Sequence, residues 1–135
     1  MKSALITKTL DAHNLRCTKQ RAIIYGALLE SEDHPSAEEL YHKVKSQLPS
    51  ISLATVYNTL ETLVSKKVIN KVNTEQGCVH YCPSAKVHAH FYCNQSAAIY
   101  DVEIDDFILL KIKSSVPPGF EVEHMDITLS GVKKF

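Results

Sequence analysis

The 135-residue chain has no net charge. Fifteen Lys/Arg balance fifteen Asp/Glu, and Arg16 and Arg21 are its only arginines. That balance excludes a nucleic-acid binder that captures phosphates through bulk positive charge. Any affinity for DNA must come from a local helix surface, doubled by dimerisation. No apolar run approaches the ~20 residues of a membrane span, and the N-terminal MKSALITKTLDAHN has no long apolar signal-peptide core. No membrane association and a cytoplasmic location are therefore expected. Low-complexity tracts and internal repeats are missing too, and 44% hydrophobic and 22% charged residues are ordinary globular values. The four cysteines, Cys17, Cys78, Cys82 and Cys93, are expected as thiols or ligands rather than disulfides. The length suits one ordinary domain or two small ones sharing an interface.

The periodicity divides the chain in two. Residues 4–14 form a short helix with Leu5, Ile6, Leu10 and Ala12 as its apolar members. Thr18 caps a second helix over 18–31, with Ile24, Ala27 and Leu28 at helical spacing. After Glu32-Asp33-His34-Pro35, Ser36 and Glu39 make a capping box for a third helix that presents Leu40, Tyr41, Val44 and Leu48 and ends at Pro49. Ser52 caps a fourth, with an apolar stripe of Val56, Leu60, Leu63 and Val64. The period then shortens. Val68–Asn73 and Gly77–Cys82 read as strands joined by the turn Thr74-Glu75-Gln76-Gly77. Compact helices followed by a hairpin are a winged-helix pattern. Beyond Pro83 come strand-like Val87–Cys93 and Ala97–Glu103, a helix near Asp105–Lys113, the turn Pro117-Pro118-Gly119 and strand-like Phe120–Leu129. The expected fold class is α+β: an N-terminal winged-helix DNA-binding domain, residues 1–84, followed by a small α+β dimerisation and metal-binding domain, residues 85–135.

The fourth helix has the character of a major-groove reader, packed on one face and short-polar or aromatic on the other. Tyr57 can contact a thymine methyl or a phosphate, Asn58 can pair with adenine, and Ser52 and Thr55 can reach phosphate near the helix N-terminus. Lys19 and Arg21, with Lys66, Lys67 and Lys71 at the wing, are candidates for backbone contacts. A solvated polar face on a small helical domain explains the same periodicity.

His88 and His90 sit two apart, so in a strand both imidazoles share a face and can bind one ion. Exposed or core histidines would give the same pattern. His34, Cys82 and Asp101 are further competent ligands near the domain boundary. Cys78, His80 and Cys82 alternate with Val79 and Tyr81, which should face the core. In a straight strand Cys78 and Cys82 stand roughly 13 Å apart, too far to share an ion or a disulfide. Cys78 and Cys17 are expected as surface or packing residues.

Taken together, HPSAEELYHKVK, LATVYNTLETL, HAHFYC and GFEVEHMDITLSG resemble the ferric uptake regulator superfamily of bacterial metal-responsive repressors over nearly the whole chain. The resemblance implies a winged-helix domain joined to a dimerisation domain, with a regulatory ion held between them by His34, Cys82, His88, His90 and Asp101. Position 82 is Asp or Glu in iron- and peroxide-responsive members and Cys in many zinc-responsive ones. Asp101 resembles the peroxide-responsive type, whereas Asn70 stands where zinc-type members use a wing Asp. Thiolate at residue 82 favours zinc, and the oxygen and imidazole donors suit iron(II) or manganese(II). The chain departs from the family in lacking its two Cys-x-x-Cys pairs, because Cys93 is followed by Asn94-Gln95-Ser96. No four-cysteine structural zinc is expected within one chain. Val87, Ala89, Ile108 and Met125 replace the ligands of an accessory site, His124 is expected at the surface, and Lys19 stands where Pro is usual.

The implied function is a homodimeric, metal-dependent repressor that places two fourth helices on a palindromic operator, with one regulatory divalent metal per chain. The metal is Fe(II) or Mn(II), with peroxide sensing through oxidation of His34 or His88, or alternatively Zn(II) in a zinc-responsive uptake repressor using Cys82. Two rivals are a small metallohydrolase built on His-x-His plus Asp, and a winged-helix protein with a decayed metal site. The first leaves LATVYNTL unexplained. No catalytic residue is expected.

Overall fold

The structure, a computed structural model, describes residues 2–74, 77–84 and 86–134. The chain divides into two compact units, Met1–Ala85 and Lys86–Phe135. Two residues of the expected wing turn, Glu75 and Gln76, and Ala85 at the boundary lie outside the described residues.

The first unit contains α1 (Lys2–Ala12), α2 (Lys19–Glu30), α3 (Ala37–Val44) and α4 (Leu53–Ser65), followed by the antiparallel strands β1 (Asn70–Asn73) and β2 (Val79–Cys82). Each of the three central helices starts where a hydroxyl is available to accept an orphan backbone N–H. Thr18 accepts from Arg21 N, Ser52 accepts from Thr55 N, and Ser36 and Glu39 close a reciprocal capping box.

The helix ends follow a different rule. α1 begins and stops two residues earlier than the sequence pattern suggests. Asn14 takes a left-handed conformation (φ 60°), with Asn14 N–H on Asp11 O at 3.1 Å and Leu15 N–H on Leu10 O at 2.9 Å. This is a Schellman termination, sealed by the buried pair Leu10 and Leu15. Lys67 (φ 62°) ends α4 in the same way, with Val68 N–H on Leu63 O. Val68 and Ile69 are consequently buried ahead of the wing, and β1 starts at Asn70 rather than Val68. α3 ends at Val44, well short of Pro49, although Leu48 N–H still bonds Val44 O.

The core joins Ile24 and Leu28 of α2, Leu40 and Val44 of α3, and Val56, Leu60 and Leu63 of α4. Tyr81 of β2 completes it, and Val79 packs at its edge. The loop before α3 adds to the hairpin: Ser36 bridges His80, and Tyr81 N–H bonds Pro35 O at 2.9 Å. Helices followed by a two-stranded wing form a winged helix.

The second unit contains β3 (Ala89–Cys93), β4 (Ile99–Val102), α5 (Asp106–Lys113) and β5 (Ile127–Gly131), in the sheet order β4-β3-β5. β3 and β4 form an antiparallel hairpin whose turn places Ala97 at φ 62° and bonds Ala97 N–H to Cys93 O. β5 returns parallel to β3 after α5, each of its five residues pairing with one of Ala89–Cys93. The strand pattern of Phe120–Leu129 is therefore used only at its end. β3 is five residues long, and the ladder has no partners to offer Phe120–Asp126. No helix among the described residues is long and apolar enough to cross a membrane.

Candidate metal centre and nucleic-acid interface

In the second unit, strand register assembles a donor set. His90 and Asp101 are directly opposed across β3 and β4, and opposed residues project to the same face of an antiparallel pair. His88 precedes β3 by one residue, on the face shared with His90. Both Nε2 atoms converge on Asp101 Oδ1, at 3.1 Å from His88 and 3.4 Å from His90, and the two rings stand 4.4 Å apart. His90 is buried, whereas Asp101 is exposed. His88 Nδ1 is 2.7 Å from Lys86 O, so it carries the ring proton and leaves Nε2 as the donor toward a cation.

The first unit brings His34 and Cys82 together, with their ligand atoms within 4.8 Å of one another. Cys82 closes β2 and is buried; His34 immediately precedes Pro35, which confines its backbone to extended geometry. An imidazole beside a thiol is a soft, borderline donor pair, and two imidazoles beside a carboxylate are a harder one. Both fit a first-row divalent cation. Cys17 and Cys78 are free thiols, the first half-buried and the second exposed, and His124 is exposed. Cys93 is a buried thiol whose pKa is lowered, first by a hydrogen bond with the Ser96 hydroxyl.

The DNA-facing candidates lie on two helices of the first unit. Tyr57, 45% exposed, and Asn58 stand on the outer face of α4, opposite the buried Val56, Leu60 and Leu63. Ser52 and Thr55 are bound to each other, 2.9 Å between hydroxyl oxygens, and to the helix terminus through Thr55 N–H. Their hydroxyls thus serve the cap as well as any phosphate. Lys19 is exposed at the start of α2. Arg21 is partly buried and donates one guanidinium N–H to Arg16 O at 3.1 Å, which commits part of its fork to its own chain.

Sequence reasoning missed how the wing is fastened to α4. Tyr81 Oη donates to Glu61 Oε2 at 2.7 Å, and Lys71 Nζ meets Glu61 Oε1 at 3.0 Å. Strands β1 and β2 each hold one oxygen of a single α4 carboxylate. Burial of Tyr81 raises its phenol pKa, and the hydrogen bond to Glu61 raises it further. The available signal was a core-facing tyrosine, whose buried hydroxyl must find a partner.

The chain is similar to known proteins along most of its length. The chain is 40% identical over 105 residues to the ferric uptake regulation protein of Bacillus subtilis, covering 74% of this chain and 70% of that protein. It is 27% identical over 126 residues to the peroxide-responsive repressor PerR of Staphylococcus aureus, covering 93% and 85%. Among solved structures, the ferric uptake regulator of Pseudomonas aeruginosa with manganese superposes with a TM-score of 0.74 at 25% identity, covering 97% of this chain and 99% of that one. These relatives share an N-terminal winged-helix DNA-binding domain and a C-terminal dimerisation domain, and the family consists of DNA-binding regulators rather than enzymes. Residues 12–130 match the profile of the Ferric uptake regulator family, and the chain belongs to that family.

Proposed function

We propose that this protein is a cytoplasmic, homodimeric repressor that binds a palindromic operator when a regulatory divalent cation is bound. His34 and Cys82 of residues 1–84, with His88, His90 and Asp101 of residues 85–135, are its ligands. Lys19, Arg21, Ser52, Thr55, Tyr57 and Asn58 face the operator. The observation that carries the reading is the convergence of His88 and His90 on the Asp101 carboxylate, in a chain whose α4 presents Tyr57 and Asn58 outward. The cation supplies the differential stability that a switch needs. Moving a population from 1:99 to 99:1 takes about 5.5 kcal/mol.

Iron(II) or manganese(II) is the leading assignment, with peroxide sensing through His34 or His88, as suggested by similarity to the peroxide-responsive repressor of Staphylococcus aureus. A zinc-responsive reading is favoured by one specific observation, the buried Cys82 thiol beside the His34 imidazole.

Anaerobic fluorescence anisotropy of an AT-rich palindromic duplex, titrated with chelated protein and then with each metal, tests both. Iron or manganese should restore binding at least tenfold, and a Cys82→Ser variant that keeps that gain in full would make Cys82 a bystander rather than a ligand. Restoration by zinc alone, lost in Cys82→Ser, makes the zinc reading the correct one. Affinity indifferent to every metal and to chelation would sink metal dependence altogether. For peroxide sensing, mass spectrometry of the treated iron form should find added oxygen on the His34 or His88 peptide.

A further inference from the structure

Strand β2 does more than deliver Cys82. His80 lies two residues earlier on the same face of the strand, and its ring Nδ1 is 2.7 Å from the backbone oxygen of His34. A carbonyl oxygen only accepts, so His80 Nδ1 carries the proton and donates it. The neighbouring backbone repeats the grip: Tyr81 N–H donates to Pro35 O, and Ser36 pairs with His80 as an isolated bridge. Pro35 itself limits the conformations open to His34. The His34 backbone is thus constrained on its C-terminal side by a proline ring and at its own carbonyl by an imidazole, while its side chain stands beside Cys82.

We propose that His80 is a positioning residue for the metal centre. It sets the His34–Cys82 pair before any cation arrives by holding the ligand histidine's carbonyl on the strand that carries the ligand cysteine. This rests on the assignment of His34 and Cys82 as ligands. A preorganised pair binds more tightly because ordering of the loop no longer opposes binding, and partners of this kind typically govern about 10–100-fold in metal affinity. The role needs a donor at the δ position and nothing else from the ring. Asparagine presents its amide N–H₂ at the same branch point, whereas leucine matches its size without a donor.

Cobalt(II), added to the full-length protein in competition with a chromophoric chelator, is the probe. Its ligand-field and thiolate charge-transfer bands report the donor set independently of DNA binding. His80→Leu should bind cobalt about tenfold more weakly, within the range for such partners, with a weakened thiolate band. His80→Asn should stay within about threefold of wild type with the band intact. Wild-type affinity and spectrum in His80→Leu overturn the proposal. A folded His80→Asn that has lost tenfold also overturns it, and decides the matter if His80→Leu fails to fold. His34→Ala separates this from the underlying reading. If His34→Ala weakens cobalt binding and His80→Leu does not, only the positioning role is wrong. If His34→Ala binds as wild type, the ligand assignment itself falls.

Discussion

Tyr81 is the residue on which the N-terminal unit depends most visibly. Its ring is fully buried, and its hydroxyl reaches the carboxylate of Glu61, twenty positions earlier in the chain. Because burial and Glu61 both raise its pKa above the ordinary 10.0, the folded state holds the phenolic proton more tightly than the unfolded state. The stability this provides is complete below pH 10 and is lost as pH climbs toward the folded value. The loss runs at about 1.4 kcal/mol per pH unit while only the unfolded chain ionises. Tyr81→Phe should therefore cost about 1–2 kcal/mol at neutral pH, where a hydrogen bond to a charged group disappears. Its stability should also fall less steeply above pH 10. Tyr25, whose pKa is likewise raised by burial, keeps the variant's curve from becoming flat. Urea unfolding at intervals from pH 7 upward measures both effects. Parallel curves for the two proteins above pH 10 would show that Tyr81 ionises as freely in the fold as in the unfolded chain.

At the scale of elements, the capped helix beginnings were legible in the sequence, and α2 and α5 end close to where it places them, but the left-handed turns that close α1 and α4 were not. Thr18, Ser36 and Ser52 accept backbone N–H groups where hydroxyls precede apolar periodicity, because a cap is a local bargain between a side chain and its own next turn. The endings of α1 and α4 fall on Asn14 and Lys67, neither of them glycine. Each is held left-handed by the burial of an apolar pair across the turn. That stabilisation is tertiary, so local composition does not announce it. The donor cluster divides similarly. His88-Ala89-His90 declares a shared face by its spacing, but Asp101 opposes His90 only because the hairpin register makes it so, and the link from Tyr81 to Glu61 depends on packing alone. Ser52 allows the structural and reading roles of α4 to be separated. Ser52→Ala should destabilise the unit by about 1 kcal/mol and weaken operator binding. Ser52→Asp should restore the stability, since aspartate caps as well as serine, yet bind the operator more weakly still because its carboxylate would face phosphate. Thermal melts and anisotropy on the same samples give both quantities. An aspartate variant with wild-type operator affinity would place Ser52 away from the DNA backbone.

At the scale of the whole molecule, the unresolved balance in one chain is the apolar surface of the C-terminal unit. α5 buries Leu109 and exposes Phe107 (71%) and Leu110 (64%), with Ile108 and Ile112 also exposed on the same helix. Elsewhere in that unit Tyr100, Phe120, Leu129 and Val132 are exposed as well. Scattered single apolar residues need no explanation, but four large ones on an eight-residue helix mark a surface meant to be covered. Members of this family act as dimers, and a second copy of the chain is the occupant that such a self-presenting face suits. On the proposed palindromic operator, gripping both half-sites at once would raise affinity, since linking two modules turns the second contact into an intramolecular one. Leu110→Asp places a charge where the partner's apolar face would bury it, at a cost of several kcal/mol. The variant should sediment as a monomer at micromolar concentration, keep its far-ultraviolet circular dichroism, and lose operator affinity by 100-fold or more, on the order expected when avidity is lost. Leu53→Asp on α4, exposed in the other unit, provides the contrast: it should weaken DNA binding while leaving the dimer intact. A Leu110→Asp protein that remains dimeric would assign the contact to the other exposed apolar residues of the unit, and one that is monomeric yet binds the operator normally would remove dimerisation from the affinity altogether.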